Sequence, residues 1–115
     1  MTDKSFVKVE VSVTFNRNLR TLAKKYRRIR SDIEPIIKQL QNGELPGNQI
    51  SGIGYKVFKL RVKNSDVAKG KSGGYRLIYY CKTTTGIILL TIYTKSEQID
   101  IAAEDIKRII SQYKG

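Results

Sequence analysis

Eight lysines and arginines fall between positions 56 and 82: Lys56, Lys59, Arg61, Lys63, Lys69, Lys71, Arg76 and Lys82. A single acid, Asp66, stands among them. Such side chains grip phosphate, lysine as a point charge and arginine through two parallel N–H donors. The focus is residues 70–82, Gly-Lys-Ser-Gly-Gly-Tyr-Arg-Leu-Ile-Tyr-Tyr-Cys-Lys, where a basic glycine-rich turn runs into an apolar, aromatic stretch. Arg76 entering a strand beside Gly73 and Gly74 suggests a phosphate site. Taken alone, the stretch fits better an arginine whose stem lies along the sheet and whose head stays in water. The chain has no histidine. The commonest general base and the commonest metal ligand are therefore missing, which excludes Ser/His and Cys/His nucleophile pairs and the usual Cys/His metal sites. Any acid–base work falls to Lys, Tyr, Glu, Asp or Arg, and neither metal nor cofactor is expected.

A second basic group precedes the first. Arg17, Arg20, Lys24, Lys25, Arg27, Arg28 and Arg30 lie in a segment, residues 17–30, that holds no acid. A solvated helix face explains it most simply, but seven uncompensated like charges repel one another, and a bound polyanion would relieve them. Lysine plus arginine total 22 against 10 acids, a net charge of +12. That excess selects a polyanionic partner without choosing among nucleic acid, a membrane surface and an acidic protein. Gly70-Lys71-Ser72 looks like the end of a phosphate-binding P-loop, but that motif needs a glycine where Ser65 stands and a helix where a strand follows. Nucleotide hydrolysis is excluded on that ground.

The elements that must carry these residues follow from periodicity. Val7, Val9, Val11, Val13 and Phe15 alternate with polar residues and predict a half-buried strand over 7–15. Asn16 or Asn18 offers a cap for a helix with the stripe Leu19, Leu22, Ala23 and Tyr26. Ser31 and Glu34 form a capping box for a second helix, with Pro35 in its first turn, the stripe Ile33, Ile36, Ile37 and Leu40, and Gly43 as its stop. Residues 44–54 read as a loop and 55–63 as a strand that places Lys59, Arg61 and Lys63 on one face. A strand from about 75 to 82 puts Leu77, Tyr79 and Cys81 on one face and Arg76, Ile78 and Tyr80 on the other. A Gly86 turn joins it to an apolar strand, 87–94. Glu97, Asp100, Glu104 and Asp105 gather before a last helix that carries Ala103, Ile106, Ile109, Ile110 and Tyr113. The order is βααβββα, an α+β domain over 1–115 with an antiparallel four-stranded sheet, an N-terminal αα-hairpin and a C-terminal helix. A lone Cys81, no signal-peptide pattern and no bilayer-length apolar stretch predict a cytoplasmic protein without a membrane.

These residues resemble the RelE/HigB branch of the RelE/ParE toxin superfamily, found in type II toxin–antitoxin systems. The resemblance rests on Lys59-Leu60-Arg61, the Gly-Lys-rich loop, Lys71-Ser72-Gly73-Gly74-Tyr75-Arg76-Leu77-Ile78-Tyr79-Tyr80, and the later run Tyr93-Thr94-Lys95-Ser96-Glu97-Gln98. The element order matches across nearly the whole chain. The resemblance implies an mRNA interferase that enters the ribosomal A site, contacts ribosomal RNA and cuts the message during translation, with a cognate acidic antitoxin to neutralise it. Arg76 takes the place of the arginine in the family's Gly-Tyr-Arg motif, and Lys59 that of one strand lysine. Ser96, with Lys95 adjacent, stands where RelE has a later arginine, and the family's C-terminal tyrosine has no counterpart, because Tyr113 comes late on an apolar stripe.

Cleavage of RNA without metal uses the 2′-hydroxyl as nucleophile. It needs a base for that proton, cations for the phosphorane and an acid for the leaving 5′-oxygen. Crowding of Lys59, Lys71 and Lys95 would favour a neutral amine on one of them. The expected catalytic set is Arg76, Lys71, Lys59 and Lys95. Arg61, Lys63, Lys69, Tyr93, Arg20, Lys24, Arg27 and Arg28 are expected to hold RNA. Two other functions suit the same sequence: a ParE-like poison of DNA gyrase, and a basic nucleic-acid-binding module that cuts nothing.

Overall fold

The computed structural model describes residues 7–67, 74–98 and 100–114. It is an α+β fold of five strands and three helices: β1 Lys8–Val11, α1 Val13–Lys25, α2 Ile29–Gln41, β2 Asn48–Ile50, β3 Val57–Val62, β4 Tyr75–Thr83, β5 Gly86–Thr94 and α3 Ala103–Lys114. The sheet runs β1-β5-β4-β3-β2. It is mixed, with β1 parallel to β5 and the other three pairings antiparallel. The antiparallel four-stranded expectation is corrected on both counts. β2 is three residues long, too short for alternation to reveal, and β1 finds its parallel partner some 78 positions later, Lys8 against Gly86.

The long first strand is also corrected. It ends at Val11, and Ser12 caps α1, its Oγ accepting from the Phe15 N–H at 2.9 Å and donating to the Leu90 carbonyl at 2.7 Å. Val13 and Phe15 belong to the helix. Phe15, 1% exposed, extends the helical stripe of Leu19 and Leu22 back by one turn. Helical burial of an aromatic ring prevails over strand alternation there. The second helix likewise begins earlier than the Ser31 capping box. Fully buried Ile29 opens α2, Ser31 Oγ donates to the Arg28 carbonyl, and no local side chain caps the turn. Contacts come from far along the chain instead: Asp66 accepts the Arg28 N–H at 2.8 Å, and Asp32 accepts the Ser65 N–H at 2.9 Å. Pro35 therefore sits inside α2 rather than in its first turn. Gly43 does end the helix, at φ +90°, with the N–H groups of Gly43 and Glu44 returning to the carbonyls of Leu40 and Gln39.

Strand alternation sorts the core into two layers. Phe58, Val62, Tyr75, Leu77, Tyr79, Ile87, Leu89 and Ile92 pack under α1 and α2 with Phe15, Leu22, Ile29, Ile33 and Leu40. Val57, Ile78, Tyr80, Ile88, Leu90 and Tyr93 pack under α3 with Ile106, Ile109 and Ile110. The αα-hairpin covers one face and the last helix the other. No helix among the described residues is long and apolar enough to cross a membrane.

Candidate functional site

On the α3 face, three side chains form a row across three strands. Arg61 of β3 pairs with Arg76 of β4, and Arg76 pairs with Tyr93 of β5. Lys59, two residues before Arg61, lies on the same face. Tyr93 is there because of an irregularity. The β4–β5 register passes from Ile78 opposite Thr91 to Tyr79 opposite Leu89, so β5 carries one extra residue. Below this bulge Ile87 and Leu89 share the αα-hairpin face with Ile92, three positions on, and Tyr93 is turned toward α3. Unbroken alternation from Leu89 would have sent Tyr93 to the other face. Ser12 satisfies the Leu90 carbonyl at the bulge, and Asn18 Nδ2 donates to Thr91 Oγ1 at 3.0 Å.

Arg76 is 9% exposed, and its buried Nη1 has no hydrogen-bond partner among the described residues. Among the described residues neither Arg61 nor Arg76 enters an ion pair. Burying part of a guanidinium beside a second one carries a cost that a bound anion would offset. Among the described residues, the carboxylate in contact with the group is Asp100, which stands between β5 and α3. Its Oδ1 accepts from Lys59 Nζ at 3.1 Å, from its own neighbour's Ile101 N–H at 2.9 Å and, at a long 3.4 Å, from Tyr93 Oη. The Ile101 N–H, then the Lys59 ammonium, holds the Asp100 carboxyl below the usual carboxylate range. Burial first, and Asp100 second, pushes the Tyr93 hydroxyl up to about 12, so Tyr93 keeps its proton at neutral pH. The group thus offers fixed cations for a phosphate, a protonated hydroxyl and an ionised carboxylate within one small area.

The expected residues divide. Lys59, Arg61, Arg76 and Tyr93 come together. Lys95 lies one residue beyond β5 and, with Tyr26, Asn64, Val67, Thr94 and Ser96, lines a cleft of about 360 Å³ at the same end of the sheet. Lys63 is exposed just past β3. Arg20, Lys24, Arg27 and Arg28 are exposed on α1 and the turn after it, in the layer on the opposite side of the sheet. Lys69 and Lys71 lie outside the described residues. Asp100 was read in the sequence only as an acid near a helix start. Its partner is 41 residues away, and no local signal joins the two. No protein-family model matches the chain, and neither does any curated protein.

Proposed function

We propose that this chain is a ribosome-dependent mRNA endoribonuclease of the RelE/HigB kind, the toxin of a toxin–antitoxin pair acting in the cytoplasm. The observation that carries this reading is Arg76, a largely buried arginine with an unpartnered Nη1, set between Arg61 and Tyr93 with Lys59 and Asp100 alongside. Arg76 and Arg61 receive the scissile phosphate. Lys59 shifts its ammonium from Asp100 to a phosphate oxygen, which releases Asp100 Oδ1 to accept the 2′-hydroxyl proton. The 2′-oxygen attacks phosphorus, the bond to the 5′-oxygen breaks, and Tyr93 supplies the leaving oxygen with a proton. The products are a 2′,3′-cyclic phosphate and a 5′-hydroxyl end. Charge developing on the phosphorane stays between the two guanidinium groups. The surplus of +12 suits ribosomal RNA around the message and an acidic antitoxin that folds onto the protein.

Primer extension along a translated message, after a short pulse of the protein, tests the reading beside the Arg76→Ala variant. Cuts in codon register should appear, vanish in the variant and vanish when translation is blocked. An intact message with arrested growth would replace this reading with a gyrase poison. An intact message with normal growth would leave a basic binding protein.

A further inference from the structure

The cleft beside Lys95 is not part of the phosphate site, and its lining is of another kind. Tyr26 and Val67 give it apolar walls, while Asn64, Thr94, Lys95 and Ser96 give it polar groups. Among the described residues no carboxylate lines it. At about 360 Å³ it falls within the range of small-molecule sites. Two of its residues bring N–H donors. Asn64 Oδ1 accepts the Asp66 N–H at 2.9 Å, which fixes the orientation of the amide and leaves Nδ2 with hydrogens to give. Asn64 is 5% exposed, so this donor is held in place rather than free to swing. Lys95 can only donate, and it forms no ion pair among the described residues. Thr94 and Ser96 hydroxyls stand 3.2 Å apart and complete the rim. Behind the wall, the Tyr75 ring meets Tyr26 edge to face at 5.8 Å, and its buried hydroxyl has no partner among the described residues.

The position of the cleft adds a second argument. Thr94 pairs with Tyr75, one step along the ladder from the Arg76–Tyr93 pair. Gly74, which also lines the cleft, precedes Arg76 by two residues, roughly 6–7 Å of strand. A nucleotide whose phosphate rests on Arg76 can therefore carry its base around the end of the sheet into this space. RNA read by proteins is commonly splayed in this way, with single bases inserted between apolar or aromatic groups and recognised at their edges.

We propose that this cleft is a nucleobase pocket adjoining the phosphate site, and that it prefers bases rich in carbonyl acceptors, guanine and uracil, over adenine. The preference follows from the Asn64 amide hydrogens and the Lys95 ammonium in its lining: guanine presents O6 and N7 as acceptors, whereas adenine puts an amino group where guanine has O6. The proposal deepens the nuclease reading and rests on it for the identity of the ligand.

Titration with nucleoside 3′-monophosphates and with inorganic phosphate, followed by amide NMR signals, tests the pocket without requiring cleavage. Inorganic phosphate should move the signals of Arg76 and Tyr93 only. The nucleotides should also move the Asn64 side-chain amide and Val67, guanosine and uridine binding about tenfold tighter than adenosine. Asn64→Asp keeps an acceptor for the Asp66 N–H and removes the amide donor, and it should abolish or reverse that order. Val67→Phe should block the nucleotide-specific shifts and leave the phosphate shifts in place. Nucleotides that move nothing beyond what phosphate moves, or an order of affinity unchanged in Asn64→Asp, would overturn the pocket. Failure of message cleavage with these shifts intact would overturn the nuclease and spare the pocket.

Discussion

Arg61 and Arg76 are direct cross-strand partners on β3 and β4, two guanidinium-bearing residues placed opposite each other on one face of the sheet. Like charges directly opposed destabilise an antiparallel pair, and Arg76 Nη1 is buried without a partner. An arrangement that works against the fold is expected where a site is made ready for an anion. Arg76→Met should leave the protein as stable as the parent or raise its stability by about 1 kcal/mol, and cleavage should fall on the order of a hundredfold. Urea unfolding and single-turnover cleavage of a translated message check the two halves. A variant destabilised by more than about 1 kcal/mol would show that the guanidinium is structural.

Asp100 links stability to pH. Its carboxyl titrates below the ordinary aspartate value of 3.8 in the folded protein, through the Ile101 N–H and then Lys59. A depressed folded value means that the contribution is fully present above 3.8 and drains away as pH falls through the folded value. Asp100→Asn should therefore unfold at lower urea than the parent at pH 7, and the gap should close as the pH drops below 3.8. The same variant leaves Lys59 without its acid. RNA binding at neutral pH should tighten while the cleavage step slows, and filter binding beside single-turnover kinetics separates the two. Weaker binding in Asp100→Asn would count against the role given to Lys59.

Two glycines separate conformation from contact. Gly43 and Gly74 both have positive φ, +90° and +97°. A Cβ on Gly43 meets open space, whereas one on Gly74 would lie 2.8 Å from the Val62 carbonyl oxygen. Gly43→Ala should cost about 1 kcal/mol, the strain of a left-handed residue alone. Gly74→Ala should cost about 2 kcal/mol or more, because β3 and β4 must also part where Arg76 enters the sheet. Thermal or urea unfolding of both variants gives the comparison, and equal losses would mean that the contact with Val62 is easily relieved.

The basic face of α1 and the turn after it should act on binding alone. Neutralising Arg20, Lys24, Arg27 and Arg28 together should reduce the salt dependence of RNA binding, its slope falling by up to about 3 for four lost phosphate contacts on a single strand. The rate of cleavage at saturation should not change, since these residues lie in the layer opposite Arg76. A drop in the saturated rate would place one of them nearer the reacting phosphate than the fold does.

Strand faces were legible because period two is local. Within each strand spacing alone set Lys59 and Arg61 apart from Phe58, and Arg76 apart from Leu77 and Tyr79; that Arg61 and Arg76 share one face follows from the β3–β4 register. The start of α1 was not. Val7 to Phe15 satisfies strand alternation over nine residues, while Phe15 also satisfies the helical stripe of Leu19 and Leu22, and only the Ser12 cap and the packing of Phe15 decide between them. Tyr93 was expected beside Arg76, yet simple alternation along β5 would have put it on the far face. A single extra residue in the strand reverses it, and nothing in Leu-Leu-Thr-Ile announces that insertion. Asp100 and the parallel partner of β1 depend on contacts between distant parts of the chain, which no window of sequence contains.

The pairing of β1 with β5 also sets the order in which the molecule can be completed. A strand at residues 8–11 has no place in the sheet until residues 86–94 exist to receive it. Lys59, Arg76, Tyr93 and Asp100 cannot meet until the last of them has been synthesised. During its own translation the emerging polypeptide carries the cationic helix α1, with Arg17, Arg20, Lys24 and Lys25 and no acid, long before Lys59, Arg76, Tyr93 and Asp100 are brought together. The ribosome that makes it is therefore exposed to the charge of α1 first and to the assembled cluster around Arg76 only once residue 100 has been made. Non-local pairing of this kind also slows folding, which lengthens the interval in which the basic segment stands without the completed sheet.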